Sequence, residues 1–225
     1  MGMTEQQKNI QHILDLAMKE MNQSNYDMGE SLCRKGLKLA DTAGLRLLSG
    51  RGHILLGHLH MHKTDYTGAI SEYESALEYL EPGESGYFSA SLGVANCNNY
   101  AGNTEKAVEE YQNFIRMTEK IGNKKALATA CNNLSQLYKG IEKFDLALEY
   151  TQKAVKSFEE LGEKALIARS YAALGNIYLD MCETDKGVEC LKKVITIRRK
   201  IRDEYSLARS LMNIGVAYID LNDLE

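Results

Sequence analysis

Residues 126–161 read ALATACNNLSQLYKG, IEK, FDLALEYTQKAVKSFEEL, and this stretch decides the fold. In its first part Ala130, Leu134 and Tyr138 recur at i, i+4 and i+8, with Cys131 and Leu137 beside them. That spacing draws one apolar stripe along a helix. Ile141-Glu142-Lys143 makes a short turn. Phe144, Ala147 and Leu148, then Ala154, Val155 and Phe158, resume the helical spacing until Gly162, a residue suited to the position just past a helix C-terminus. One such hairpin cannot bury both of its apolar faces, so it needs neighbours of the same kind.

The rest of the chain supplies them. A medium apolar residue followed by a tiny one stands at Leu16-Ala17, Leu56-Gly57, Val94-Ala95, Leu134-Ser135, Leu174-Gly175 and Ile214-Gly215. The tiny residues are spaced by 40, 38, 40, 40 and 40. A second small residue follows each of the first five by 12, at Gly29, Ala69, Ala107, Ala147 and Gly187. The helices of a hairpin approach closely only where side chains are small, and Tyr66 and Phe144 are expected to fill the wedge beside the crossing. First helices are expected over 5–22, 45–62, 86–101, 125–140, 165–181 and 205–220. Second helices are expected over 25–41, 66–80, 104–121, 144–161 and 184–202. Asn25, Asp65 and Asn103 stand where second helices start and suit an N-cap. Gly44, Gly122 and Gly162 lie near second-helix ends, and Pro82 ends another.

The expected fold is therefore all-α, a right-handed superhelical solenoid of antiparallel helix pairs. It is read as one domain over 1–225, with repeats at 4–44, 45–84, 85–124, 125–164, 165–204 and a truncated 205–225. The 44% hydrophobic content can supply a core, and a single proline leaves long stretches free to be helical. The net charge of -4, with acids and bases mixed, argues against nucleic acid. No run of 18 apolar residues exists, so no membrane span is expected. The N-terminus lacks a signal-peptide core, and the expectation is a soluble, cytoplasmic protein. The five cysteines include no CxxC spacing and read as small buried side chains in a reducing compartment. Met1-Gly2 ahead of Met3 looks like a cloning scar. Asp223-Leu224-Glu225 stands where the next helix should begin, with Leu224-Glu225 either a vector remnant or native sequence that continues. Both ends suggest part of a longer protein.

Asn-Leu-Ser-x-x-Tyr at Asn133–Tyr138, Leu-Gly-x-x-Tyr at Leu174–Tyr178, Asp-Tyr-x-x-Ala at Asp65–Ala69 and Phe-x-x-Ala at Phe144–Ala147 resemble the tetratricopeptide repeat. The resemblance covers essentially the whole chain. The usual repeat is about 34 residues, and the longer period here is similar to the repeats of kinesin light chains, G-protein-signalling modulators and bacterial quorum-peptide receptors. It is also similar to repeat regions placed ahead of output domains in bacterial signalling proteins. The resemblance implies a non-catalytic protein- or peptide-binding scaffold, the sensory or interaction region of a larger signalling or regulatory protein.

In such stacks the first helices line the concave surface. The inward stripe, offset from the packing stripe, falls on Thr129, Asn133, Gln136 and Gly140 in the fourth unit. The same register gives Arg51, Leu55, His58 and His62, then Ser89, Gly93, Asn96 and Tyr100. It continues as Arg169, Ala173, Asn176 and Asp180, and ends with Arg209, Asn213, Val216 and Asp220. Asn and Gln offer donor and acceptor together to a peptide backbone, and Arg forks onto a carboxylate. The candidate peptide-binding residues are Arg51, His58, His62, Asn96, Tyr100, Asn133, Gln136, Arg169, Asn176, Arg209 and Asn213. The segment from Arg209 to Gly215 is similar to the Arg-x-x-x-Asn-x-Gly pattern of peptide-binding long-repeat proteins, and Arg169 with Ala173 is a poorer match.

Two rival readings remain. His58 and His62 lie one turn apart and could share a metal or centre a catalytic site. A zinc site normally takes three protein ligands, HExxH is absent, and their helix carries no acid. The expectation is therefore polar groove histidines, or a packed His53 and His60, and no metal or cofactor. No nucleotide, nucleophile-elbow or paired-carboxylate motif points to an enzyme. The other rival is a self-associating scaffold pairing through an exposed edge at Leu211, Ile214 and Tyr218. Arg198-Arg199-Lys200 reads as cations placed at a helix C-terminus.

Overall fold

The computed structural model describes residues 2–222, with side chains through Ile219. Met1 and the segment Asp223-Leu224-Glu225 lie outside the described residues, as does the side chain of Asp220. The described residues form eleven helices and no strand: α1 (Glu5–Asn22), α2 (Tyr26–Thr42), α3 (Arg46–His62), α4 (Tyr66–Tyr79), α5 (Ser85–Tyr100), α6 (Thr104–Ile121), α7 (Lys124–Gly140), α8 (Phe144–Leu161), α9 (Lys164–Asp180), α10 (Thr184–Ile201) and α11 (Glu204–Asn222). The expected helices are all present with ends displaced by two residues at most. The chain divides into two compact units, Met1–Asn113 and Phe114–Glu225, the division falling within α6.

In the first unit α1 packs on α2 and α3 on α4, and each pair is joined to the next through α2 with α3 and α4 with α5. One buried cluster gathers Leu14, Ala17, Cys33 and Leu56, and a second gathers Tyr73, Ala76, Val94 and Cys97. The small residues act as expected. Ala17, Ala69 and Ala95 are fully buried. A Cβ added at Gly57 or Gly93 would lie 2.6 or 2.7 Å from the Tyr73 ring, so one aromatic ring fills the space that two glycines leave.

The second unit repeats the plan with α7 on α8, α9 on α10, and α11 closing on α10. Ser135 is small enough for its crossing and also donates to the Ala147 carbonyl at 2.9 Å. At the next crossing a Cβ on Gly175 would meet the Gly187 carbonyl and the Cys190 Cβ, both at 3.2 Å.

The turns carry a regularity of their own. Within pairs, positive φ falls at Ser24, Thr64, Gly102, Glu142 and Cys182, and between pairs at Gly44, Gly83, Gly122, Gly162 and Arg202. Arg202 (φ 57°) stands one repeat beyond Gly162, where a side chain is disfavoured by the left-handed backbone. Arg202→Gly is expected to raise unfolding stability by about 1 kcal/mol, read as a higher urea midpoint. An unchanged or lower midpoint would show that the Arg202 side chain compensates for its backbone.

Two local expectations need correction. Asn25 occupies the N-cap position of α2, but its side chain makes no cap bond and donates instead to Glu20 at 2.8 Å. Asp65 does cap, accepting from the Gly68 amide at 3.0 Å, and the Asn103 side-chain amide donates to Asn98 at 3.3 Å. Of the cysteines, Cys33, Cys97, Cys131 and Cys190 are buried, but Cys182 is exposed in its turn. Burial pushes the Cys33 and Cys131 thiols up to about 12 and Cys97 to about 11, so these three remain neutral thiols at pH 7.

Candidate functional site

The first helices of the first unit lie side by side, α1 touching α3 and α3 touching α5. Their N-terminal halves enclose a groove of about 1010 Å³. Gln7 and Gln11 come from α1, Leu47 and Arg51 from α3, and Ser85 and Ser89 from α5, over a floor that includes Ile54 and Leu80. The floor is apolar because Ile54 and Leu80 belong to the buried core. Gln7, Gln11, Arg51 and Ser89 are half-buried along the sides, where they keep contact with water. Leu47 is 54% exposed and Met3 49%, leaving apolar surface at the groove mouth.

The two arginines of this groove differ. Arg46 holds Glu84 through two bonds, at 2.9 and 3.3 Å, and donates to the Tyr79 carbonyl at 2.5 Å. It thereby ties the start of α3 to the end of α4 and the cap of α5. The Glu84 carboxyl is held below its usual range first by the Glu81 amide and then by Arg46. Arg51 makes one contact, from Nη2 to Asp15 Oδ1 at 2.6 Å. Gln11 donates to the same oxygen at 3.3 Å. Gln7 is partly committed, its Oε1 accepting from the Thr4 amide in the capping box of α1.

The other candidates of the first unit have neighbours of their own. Half-buried His58 meets the Tyr73 ring edge-on at 5.7 Å, and His62 stacks on Tyr26 at 5.2 Å. Burial lowers the His58 pKa, and His62 adds to that. The two rings thus serve different partners, and among the described residues no three His, Cys, Asp or Glu side chains converge as metal ligands. His53 and His60 are not merely packed: each bonds a carboxylate at 2.7 Å, Glu72 and Asp65 respectively. Asn96 accepts from the Tyr111 hydroxyl at 2.5 Å, and exposed Tyr100 stacks on Tyr66. The stripe expected from the register runs into the core at its second position, where Leu55 is buried and Gly93 lies under Tyr73. A helix face a quarter-turn from the packing stripe is still partly covered by the neighbouring pair.

In the second unit Gln136, Arg169 and Arg209 are exposed, and Asn133, Asn176 and Asn213 are half-buried. Lys139 pairs with Asp180 at 2.9 Å, joining α7 to α9. Arg198 is not a surface cation at a helix end. It is 5% exposed and donates to the Ser206 carbonyl and the Ser210 hydroxyl. One repeat earlier the same position is Phe158, a core residue, so the register places Arg198 inside. Burial lowers its pKa, and repulsion from Arg209 adds to that. The edge expected at Leu211, Ile214 and Tyr218 is also revised. Leu211 and Tyr218 are exposed, but Ile214 packs against Val188 and Leu191, and the exposed apolar side chains beside the edge are Met212, Val216 and Ile219.

The tetratricopeptide repeat family matches residues 128–160 and 168–201. Those two segments are tetratricopeptide repeats, and the other helix pairs are built on the same period. Solved structures share the fold over most of the chain. The apo form of RapI is 12% identical with a TM-score of 0.81, over 93% of this chain and 77% of that one. A signal-transduction ATPase with numerous domains and a tetratricopeptide repeat sensor, from Pyrococcus horikoshii, is 18% identical with a TM-score of 0.80. That match covers 94% of this chain, which spans 33% of the ATPase. A Rap protein complexed with competence and sporulation factor is 15% identical with a TM-score of 0.73, over 88% of this chain and 56% of that one. No curated protein sequence matches the chain. Among the described residues no helix is long and apolar enough to cross a membrane.

Proposed function

We propose that this tetratricopeptide-repeat protein is a non-catalytic interaction scaffold that binds a peptide segment along the inner faces of its first helices. The observation that carries this reading is the groove of the first unit, where amide and guanidinium groups stand over an apolar floor. Such a lining suits an extended peptide, whose backbone pairs with amides while alternate side chains reach the floor. In the second unit Gln136, Asn176, Arg209 and Asn213 would supply the same chemistry. The Rap protein solved in complex with competence and sporulation factor supports a bound partner on this fold. The repeat sensor of the archaeal ATPase supports a sensory region within a larger signalling protein. The free cysteines fit a reducing cytoplasm.

Peptides selected from a random-sequence library supply the test. Arg51→Ala is expected to weaken the selected peptides, with about 1.5–3 kcal/mol lost for its charge-assisted contact. Helicity and melting should stay nearly unchanged. Lys153, on α8, pairs with Glu119 of α6, and Lys153→Ala should bind normally. Normal binding by the groove variant, with loss in Lys153→Ala, would move the site to the outer helices.

A second reading is self-association through α11, favoured by Met212 at 71% exposure and Ile219 at 61%. Sedimentation showing a dimer that Met212→Glu disperses would establish it.

A further inference from the structure

Asp15 accepts a hydrogen bond from Arg51, a residue that lines the groove. The pair is partly open to water, with side-chain exposures of 27% for Arg51 and 49% for Asp15. Gln11, one turn before Asp15 on α1, points its amide donor at the same oxygens, 3.3 and 3.5 Å away. A carboxylate at this point is thus met by a guanidinium from α3 and an amide from α1. Both donors line the groove. The neighbouring Arg46 is different, because its two bonds to Glu84 and one to a backbone carbonyl hold it in the framework.

We propose that Asp15 is a resident substitute for a ligand carboxylate, and that it sets both the specificity and the affinity threshold of the groove. This rests on the peptide-groove reading above. The partner is a peptide segment bearing an acidic side chain or a free C-terminus. It binds by displacing Asp15 from Arg51 and taking the Arg51 and Gln11 donors. The exchange conserves charge at the site: one carboxylate leaves the guanidinium and another arrives, while Asp15 turns to water. A single-contact, half-exposed pair is weakly held, so the swap is readily reversible. A neutral or basic peptide gains nothing from displacing Asp15 and leaves the pair closed.

The test uses the whole chain and a random-sequence peptide library. Peptides enriched on the wild-type protein should share an acidic residue or a required free C-terminus. The tightest is then compared with its twin in which that carboxylate is an amide. Asp15→Asn should tighten the acidic peptide by roughly two- to fivefold, the size of an exposed pair, and leave the amide twin unchanged. Arg51→Met should weaken the acidic peptide by roughly ten- to a hundredfold and abolish its advantage over the twin. Gln11→Leu should weaken the acidic peptide alone. If Asp15→Asn weakens both peptides equally, Asp15 is a structural clamp between α1 and α3 and the proposal fails. Enriched peptides with no acidic requirement overturn it while leaving a peptide groove intact. A library that yields no binder overturns the groove reading and this inference with it.

Discussion

Tyr73→Ala is expected to destabilise the protein by about 3–5 kcal/mol, the range for emptying a buried aromatic site. Tyr73 is fully buried on α4, and its ring lies over Gly57 of α3 and Gly93 of α5. Neither glycine has a side chain that can move into the vacated space, so the cavity would remain. Tyr73→Phe is the control. It keeps the ring and loses only the hydroxyl contact to the Met61 sulfur at 3.2 Å, so its cost should be within about 1 kcal/mol. Chemical denaturation monitored by circular dichroism measures both. Equal losses in the two variants would mean that the hydroxyl contact, not the ring, holds these helices together.

Gly175→Leu should cost on the order of 3 kcal/mol, the upper part of the range for overpacking a close contact. A Cβ there already reaches 3.2 Å from the Gly187 carbonyl, which is backbone and cannot rotate away. The extra carbons of leucine must then part α9 from α10. Chemical denaturation measures it, and a loss under about 0.5 kcal/mol would mean that the α9–α10 crossing relaxes around the new side chain.

The pairing of helices was legible because the small residues recur at a fixed interval, which places Gly57, Ser135 and Gly175 in one register. Turn geometry was legible only where glycine marked it. Cys182, Glu142 and Arg202 adopt the same left-handed backbone without signalling it, since the repeat imposes the conformation against residue preference. The groove was partly legible. The register that selects Arg51 and Leu55 also lands on Gln11 and Asp15 one repeat earlier, a signal that was there although neither residue stood among the candidates. Their roles were not readable, because an ion pair between α1 and α3 depends on the crossing of two helices. The same limit hid Arg198. A run of three cations looks like a solvated helix end until the third dimension turns its first member toward Ser206 and Ser210.

The most direct measurement is photo-crosslinking of the tightest library-selected peptide, carrying a photoreactive residue at successive positions, followed by mapping of the joined sites. Crosslinks are expected on the N-terminal halves of α1, α3 and α5, around Gln11, Arg51 and Ser89. Crosslinks confined to α2 and α4, with those first helices unlabelled, would contradict a peptide-binding role for the groove.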